Sequence, residues 1–364
     1  MKEKLKIIIS GGGTAGHIYP ALAVAERLRE RGHEILFVGA HGRMEMQRVP
    51  MAGFEIEGLP VVGIQRRLTL SNLAVPFKFF RSQRMARAII RRFSPDVVVG
   101  FGGYASAPIL RSASRQGIPT LLQEQNSYAG LTNKLLAKRS KVICVAYTGM
   151  EQFFPQEKIR LTGNPLRVAP SSEITRTEGC RAMGVDPSKR TILLTGGSLG
   201  TRTLNEAVIA LLGSAKMPKD VELIWQCGKY YLQEMISRSE GHTTKPVAFI
   251  ESMSAAYAAA DLVIARSGAS TVSELQLLGK ATIFVPSPNV AEDHQTKNAR
   301  SMVEAGAAVM VRDAEAVEKL FDKAFELLDN PTLLEEMGKK INTFAMPNAT
   351  QEVAELVESI AKTK

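Results

Sequence analysis

The sequence predicts an α/β protein of two doubly wound domains, each built on a parallel sheet, with its phosphate-bearing ligands in a deep cleft between them. Three observations predict this. An apolar strand running into a glycine-rich turn that opens a helix occurs twice, as KIIISGGGTAGHIYPALAVAERL and as TILLTGGSLGTRTLNEAVIALL. Short apolar runs alternate with helical periodicity in both halves, the mark of parallel α/β layers. The chain has 364 residues, 45% of them hydrophobic and 23% charged, which exceeds one core and suits two.

In the first half the alternation places strands near 5–9, 34–39, 96–100, 118–122 and 141–145, with helical stretches such as 20–31, 77–93 and 130–139 between them. The second half repeats it, with strands near 191–195, 221–226, 246–250, 261–265 and 281–285 and helices near 203–213, 270–279 and 293–305. LTGNPLRVAPSSEI, holding Pro165 and Pro170, is the best linker, so the domains are read as residues 1–163 and 164–340. Ligands of such sheets sit beyond the carboxyl ends of the strands.

Charge is unevenly placed. The net formal charge is +10, yet residues 1–163 carry 24 Lys and Arg against 11 Asp and Glu, and the remainder 22 against 25. Residues 61–95 hold Arg66, Arg67, Lys78, Arg81, Arg84, Arg87, Arg91 and Arg92 without one acid. An anionic surface or substrate handled by the first half follows. The three cysteines, Cys144, Cys180 and Cys227, fit neither a disulfide frame nor a zinc site. No apolar run spans a bilayer, and MKEK leads straight into a strand with no signal-peptide pattern, so a cytosolic chain is expected.

Gly11-Gly12-Gly13-Thr14-Ala15-Gly16 satisfies G-x-G-x-x-G, but the second strand ends in Val38-Gly39-Ala40 without the acid that a dinucleotide fold uses on its ribose. Neither turn is followed by the G-K-[ST] of a Walker loop. His17 follows the first loop at once. It is either a helix-start residue donating to a carbonyl or a general base, since the positive end of a helix favours the neutral imidazole that accepts protons. A third turn, Gly100-Phe101-Gly102-Gly103-Tyr104, follows the strand DVVV, and Gln123, Glu124, Gln125 and Asn126 end the next strand. With Tyr104, these four form an expected hydrogen-bonding wall for a sugar. In ARSGASTVSEL, Thr271 and Glu274 fit a capping box, and Glu274 alternatively accepts hydrogen bonds from ribose hydroxyls. Glu292, Asp293, His294, Gln295 and Asn298 cluster at the next strand end in no metal-binding pattern.

GGGTAGHIYPALAVA, GFGGYASAP, QEQNSYAGLTNK, LTGNPLR, LTGGSLGTRTLN, ARSGASTVSEL and EDHQTKNA, in that order, closely resemble the MurG-type transferases of bacterial peptidoglycan synthesis across essentially the whole chain. The resemblance implies the GT-B architecture and an N-acetylglucosaminyltransferase, a hexosyltransferase that moves GlcNAc from UDP-GlcNAc to undecaprenyl-pyrophosphoryl-MurNAc-pentapeptide. It implies inversion in one displacement, with no cofactor and no metal. For the donor it implies Thr14, Ala15, Gly16 and Asn126, Arg167 and Ser198 at the nucleotide and diphosphate, and Ile250 at the uracil. It adds Ala269, Ser270, Thr271, Val272, Ser273 and Glu274 at diphosphate and ribose, and Gln295 at the GlcNAc. His17 becomes the candidate base, with Gly13, Tyr104 and Glu124 beside it on the acceptor side. Two departures stand out: Ala15 replaces the more usual glycine, and Gln123 replaces a histidine. Residues 341–364 are expected to pack back on the first domain, as in similar folds.

A helix from about Pro76 sets Phe79, Ala86, Ile89, Ile90 and Phe93 on one face and Arg84, Arg87 and Arg91 on the other. Leu73, Phe77 and Phe80 among Arg81, Arg84, Arg87 and Arg91 read as a patch that lies on an anionic membrane. The alternative is a core helix with a solvated face. Expected partners are UDP-GlcNAc, the polyprenyl-linked acceptor, the cytoplasmic face of the cell membrane, and proteins of cell-wall synthesis and division. Competing readings are another GT-B glycolipid transferase, a sugar-nucleotide epimerase, and a basic nucleic-acid-binding module. The last has too few aromatics among its arginines and leaves the glycine loops unexplained.

Overall fold

The computed structural model describes residues 4–61, 75–167, 173–197, 199–214 and 216–361, with the side chains of residues 75–79 and 291 outside that description. The chain forms two compact units, Met1–Val168 with Met346–Lys364, and Ala169–Ala345.

The first unit contains β1 (Lys6–Ser10), α1 (Ala15–Glu30), β2 (Glu34–Ala40), α2 (Glu45–Met51), β3 (Glu55–Leu59), α3 (Val75–Phe93), β4 (Val97–Gly100), α4 (Ser106–Arg115), β5 (Thr120–Glu124), α5 (Leu131–Ala137), β6 (Val142–Val145) and β7 (Ile159–Leu161). Its sheet is parallel and runs β3-β2-β1-β4-β5-β6-β7. Strand order reverses between β1 and β4, where such a sheet opens a crevice for ligands. Alternation along β1 fixes the two layers: Ile7 and Ile9 pack with Leu22 and Leu28 of α1, whereas Ile8 packs with Ile89, Ile90 and Ile109. Helices on both faces account for the unbroken apolar run Ile7, Ile8 and Ile9. In α3, Ala86, Ile89 and Ile90 are buried and Arg81, Arg84, Arg87 and Arg91 are exposed, as the helical periodicity requires.

The second unit contains α6 (Arg176–Met183), β8 (Arg190–Thr195), α7 (Arg202–Gly213), β9 (Val221–Gln226), α8 (Leu232–Arg238), β10 (Pro246–Val247), α9 (Met253–Ala259), β11 (Leu262–Ala265), α10 (Ala269–Leu278), β12 (Thr282–Phe284), α11 (His294–Glu304), β13 (Val309–Met310), α12 (Ala316–Leu328) and α13 (Pro331–Asn342). Its parallel sheet runs β10-β9-β8-β11-β12-β13, with the reversal between β8 and β11. Ile192, Leu194, Trp225, Ile264 and Ile283 form its core with Leu204 and Val208 of α7.

The chain ends in α14 (Ala349–Ala361), which belongs to the first unit. Val353, Ala354 and Val357 are fully buried in the core that holds Leu22 and Leu28. Buried Glu358 accepts from His33 Nε2 at 2.9 Å and pairs with Arg31 at 3.1 Å. The Leu5 N–H donates to His33 Nδ1, which places the imidazole proton on Nε2.

Candidate functional site

In the first unit the reversal between β1 and β4 brings two glycine turns together. Gly103 has φ +85°, and a Cβ there would lie 2.4 Å from the Gly12 carbonyl oxygen, so only glycine permits the contact. Ser106 locks the turns from below, its hydroxyl donating to the carbonyls of Ser10 and Gly102 at 3.0 and 2.8 Å.

His17 stands in the first turn of α1, half-buried. Its Nδ1 lies 3.0 Å from the Gly12 carbonyl oxygen and 3.2 Å from Thr14 Oγ1. A carbonyl only accepts, so Nδ1 carries the proton and the neutral ring presents its lone pair on Nε2. A Cβ on Gly102 would come within 3.1 Å of that nitrogen. The helix-start alternative is realised, and donating to a carbonyl leaves the second nitrogen with a free lone pair. Thr14 makes no side-chain cap, which leaves first-turn N–H groups of α1 uncapped beside exposed Gly13 and Thr14 and half-buried Ala15 and Gly16.

A carboxylate holds this loop from beneath. Glu45, with no exposed surface, accepts from the N–H of Gly13 at 2.9 Å and of Ala40 at 3.0 Å. It sits at the start of α2, where the helix dipole favours a negative charge. A Cβ on Gly12 would fall 2.2 Å from Glu45 Oε1. The acid sought at the end of β2 is therefore present a few residues later, turned under the loop instead of toward a ribose. Sequence reasoning missed it because the dinucleotide pattern looks for it elsewhere. Glu45→Gln offers one acceptor to two donors and is expected to cost about 1–3 kcal/mol, the penalty of one buried donor left unpaired. Urea denaturation of the variant measures it.

The end of β5 does not form the expected wall. Gln123, Glu124 and Gln125 are buried, at 0, 2 and 1% exposure. Gln125 donates to the Phe101 carbonyl and to Gln123, and Gln123 donates to the Gly163 carbonyl. Glu124 accepts from the Asn126 N–H and amide, the Gly130 N–H and Asn133. Alternation along the strand does not expose four consecutive side chains, and the sheet end is covered. Asn126 is half-buried and Tyr104 is 55% exposed, so these two remain accessible, while buried Glu124 holds Asn126. Arg167 pairs with Glu26 of α1 at 2.8 Å, and this hydrogen-bonded carboxylate raises its guanidinium pKa.

In the second unit the turns after β8 and β11 flank the reversal. A Cβ on Gly200 would lie 1.9 Å from the Cys227 carbonyl oxygen, so the first turn packs directly on the end of β9. The helix after it starts at Arg202, within one residue of the expected position, and Thr201 caps it by accepting from the Leu204 N–H. By contrast, α10 starts at Ala269 behind Gly268, with no side-chain cap. Its first-turn N–H groups carry no side-chain cap and stand at the positive end of the helix, where an anion is favoured.

The capping box read from Thr271 and Glu274 is not formed, because both lie inside α10. Glu274 instead accepts from the phenol of Tyr257 at 2.8 Å. Burial pushes the Glu274 carboxyl above the usual carboxylate range, and the Tyr257 hydrogen bond holds it back. Val272 is fully buried and its N–H donates to Gly268, so it serves the core, while Ser270, Thr271 and Ser273 remain half-buried. Ala269 is 6% exposed and Ile250 4%, beside Phe249 at 62%. Gln295 accepts from the Ser287 N–H at 2.9 Å, and its carbonyl accepts from Ser267. Arg266, unremarked in the sequence, donates to the Val285 and Pro286 carbonyls and pairs with Asp313 at 2.5 Å. Ser198 and Leu73 lie outside the described residues, as does the side chain of Phe77.

Comparison with known proteins matches residues 7–145 to the glycosyltransferase family 28 N-terminal domain and residues 191–353 to the family's C-terminal domain. The chain is 51% identical to a UDP-N-acetylglucosamine--N-acetylmuramyl-(pentapeptide) pyrophosphoryl-undecaprenol N-acetylglucosamine transferase of Phocaeicola vulgatus, over 99% of this chain and 98% of that one. It is 48% identical to a transferase of the same name from Flavobacterium psychrophilum, over 98% and 99%. A solved structure of MurG from Acinetobacter baumannii superposes with TM-score 0.81 at 31% identity, covering 98% of this chain and all of that one. A structure described as a UDP-N-acetylglucosamine 2-epimerase from Listeria monocytogenes shares the fold alone, with TM-score 0.69 at 15% identity. Two parallel α/β units with these matches make the fold GT-B, and the chain belongs to glycosyltransferase family 28, among its MurG-type N-acetylglucosaminyltransferases.

Proposed function

We propose that this chain transfers N-acetylglucosamine from UDP-GlcNAc to the 4-hydroxyl of the muramyl sugar in N-acetylmuramyl-(pentapeptide) pyrophosphoryl-undecaprenol, with inversion at the anomeric carbon. Full-length identity of about half to transferases named for those substrates is the observation that carries the reading. The geometry supplies its chemistry.

His17 Nε2 takes the proton of the acceptor hydroxyl as that oxygen bonds to C1 of GlcNAc. The C1–O bond to UDP breaks in the same step, and its electron pair stays on the departing diphosphate. Uncapped N–H groups at the start of α10 and the charge of Arg167 stabilise that anion. Glu274 accepts from the ribose hydroxyls, the Ile250 backbone meets the uracil, and Gln295 and Asn126 orient the sugar. Transfer from UDP-GlcNAc labelled with carbon-13 at C1 should give a β-anomeric signal in the product. An α signal would contradict a single displacement.

The enzyme acts peripherally at the cytoplasmic face of the membrane. Among the described residues no helix is long and apolar enough to cross one. Phe80, 73% exposed, stands among Arg81, Arg84, Arg87 and Arg91 on the outer face of α3. Each arginine near anionic lipid contributes about 1 kcal/mol. Replacing Phe80, Arg84 and Arg87 together by serine is expected to abolish sedimentation with anionic vesicles while preserving turnover of a water-soluble acceptor. Unchanged sedimentation would move the docking surface elsewhere.

A further inference from the structure

The glycine turns occupy the carboxyl ends of the strands in the first unit. A second concavity, of about 380 Å³, lies at the opposite ends, where β5 begins and the chain enters β6. Arg139, Lys141 and Lys158 line it together with Ser114, Thr120 and Ile360 of α14, and no acid is among its lining residues. Among the described residues, no carboxylate lies within ion-pair distance of any of these three cations. The Lys158 ammonium donates to the Lys138 carbonyl. Thr120 is 1% exposed, and its hydroxyl is buried without a hydrogen-bond partner. A buried hydroxyl left open beside three uncompensated cations is an unmet demand for an acceptor.

The surrounding surface has the same sign. The Arg115 guanidinium is held below its usual value, first by the charge of Arg111, then by burial and by the charges of Arg139 and Arg87. Arg139 thus joins the concavity to the exposed basic face of α3. Like charges gathered without acids repel one another until an anion is present. A phosphate group suits the site, because it brings nearly two negative charges and three acceptor oxygens to a hydroxyl and three cations.

We infer that this concavity is a phosphate-binding site, separate from both glycine-turn sites and independent of the transfer reaction. Such a phosphate comes either from a lipid headgroup, seated as α3 meets the membrane, or from a soluble phosphate compound.

Two probes on the full-length enzyme, with UDP in excess to fill the nucleotide site, distinguish the sources. One is calorimetric titration with inorganic pyrophosphate, and the other is co-sedimentation with phosphatidylcholine vesicles containing phosphatidic acid. The double variant Arg139→Ser/Lys141→Ser is expected to lose about tenfold or more of whichever affinity the wild type shows, the value of one charge-assisted hydrogen bond. Both positions are exposed, so folding is not at issue, and turnover of a soluble acceptor should be unchanged. Thr120→Val should weaken binding several-fold without shifting the melting temperature. Affinity for vesicles alone assigns the site to a lipid phosphate, for pyrophosphate alone to a soluble one, and for both to the phosphate group itself. The inference is overturned if wild type binds neither probe, or if the double variant binds like wild type. An equal loss of pyrophosphate affinity in Arg84→Ser/Arg91→Ser also overturns it, since that pattern belongs to a diffuse basic surface.

Discussion

Replacing His17 by alanine is expected to lower kcat by about 10²–10⁴-fold, the usual contribution of a positioned general base, with KM for UDP-GlcNAc nearly unchanged. The split follows from where the residue sits. His17 lies in the unit that holds the Gly12 loop, and its Nδ1 proton is committed to the Gly12 carbonyl. Removing the ring deletes the proposed proton acceptor, while Glu274 and the start of α10 are built into the other unit. A rise in KM with kcat preserved would make His17 a binding residue. Wild-type turnover would remove it from the reaction altogether. His17→Gln is the informative companion, because its amide can still donate to Gly12 but cannot accept the proton at neutral pH.

Glu274→Ala is expected to raise the dissociation constant for UDP about 10- to 100-fold, as loss of hydrogen bonds to a charged acceptor worth about 1.5–3 kcal/mol requires. Glu274 caps no helix, so the stability cost is limited to the Tyr257 phenol left unpaired, about 1–3 kcal/mol. The same geometry gives a pH dependence. In the proposed binding mode ribose hydroxyls donate to the carboxylate, so affinity requires the deprotonated form. Burial raises the Glu274 carboxyl, hence UDP affinity falls on acidification at a pH above that of an ordinary glutamate. The hydrogen bond from Tyr257 holds the carboxyl down. Tyr257→Phe should therefore move the loss of affinity to still higher pH while leaving alkaline affinity close to wild type. A pH profile of UDP binding unaltered by Tyr257→Phe would contradict this assignment.

Much of the fold is written in local patterns. Ile7, Ile8 and Ile9 form a run that only a strand covered on both faces tolerates, and the glycine turns mark where each sheet reverses. Edge strands were harder to see: β3 alternates Glu55, Ile56 and Glu57 at the margin of its sheet, and β7 and β13 have three and two residues. Strand 246–250 shortens to Pro246–Val247 at the other edge. The placement of His17, Tyr104 and Asn126 just beyond β1, β4 and β5 was legible, because glycine turns and polar runs follow those strands in the sequence. Glu45 and Tyr257 were not, since each acts through a partner distant in sequence, Gly13 and Glu274, and no local spacing encodes those contacts. Gln123, Glu124 and Gln125 misled for the converse reason. Polar residues at a strand end advertise a ligand, yet here they satisfy buried backbone at the join with Phe101 and Gly163.

The most direct test of the account is a transfer assay with UDP-GlcNAc labelled in the sugar and a synthetic polyprenyl-pyrophosphoryl-MurNAc-pentapeptide acceptor. Label should pass to the acceptor as a β-1,4-linked disaccharide, with one UDP released per transfer and none released without acceptor. Label recovered as free sugar, or as its 2-epimer, with the acceptor unmodified, would contradict the account.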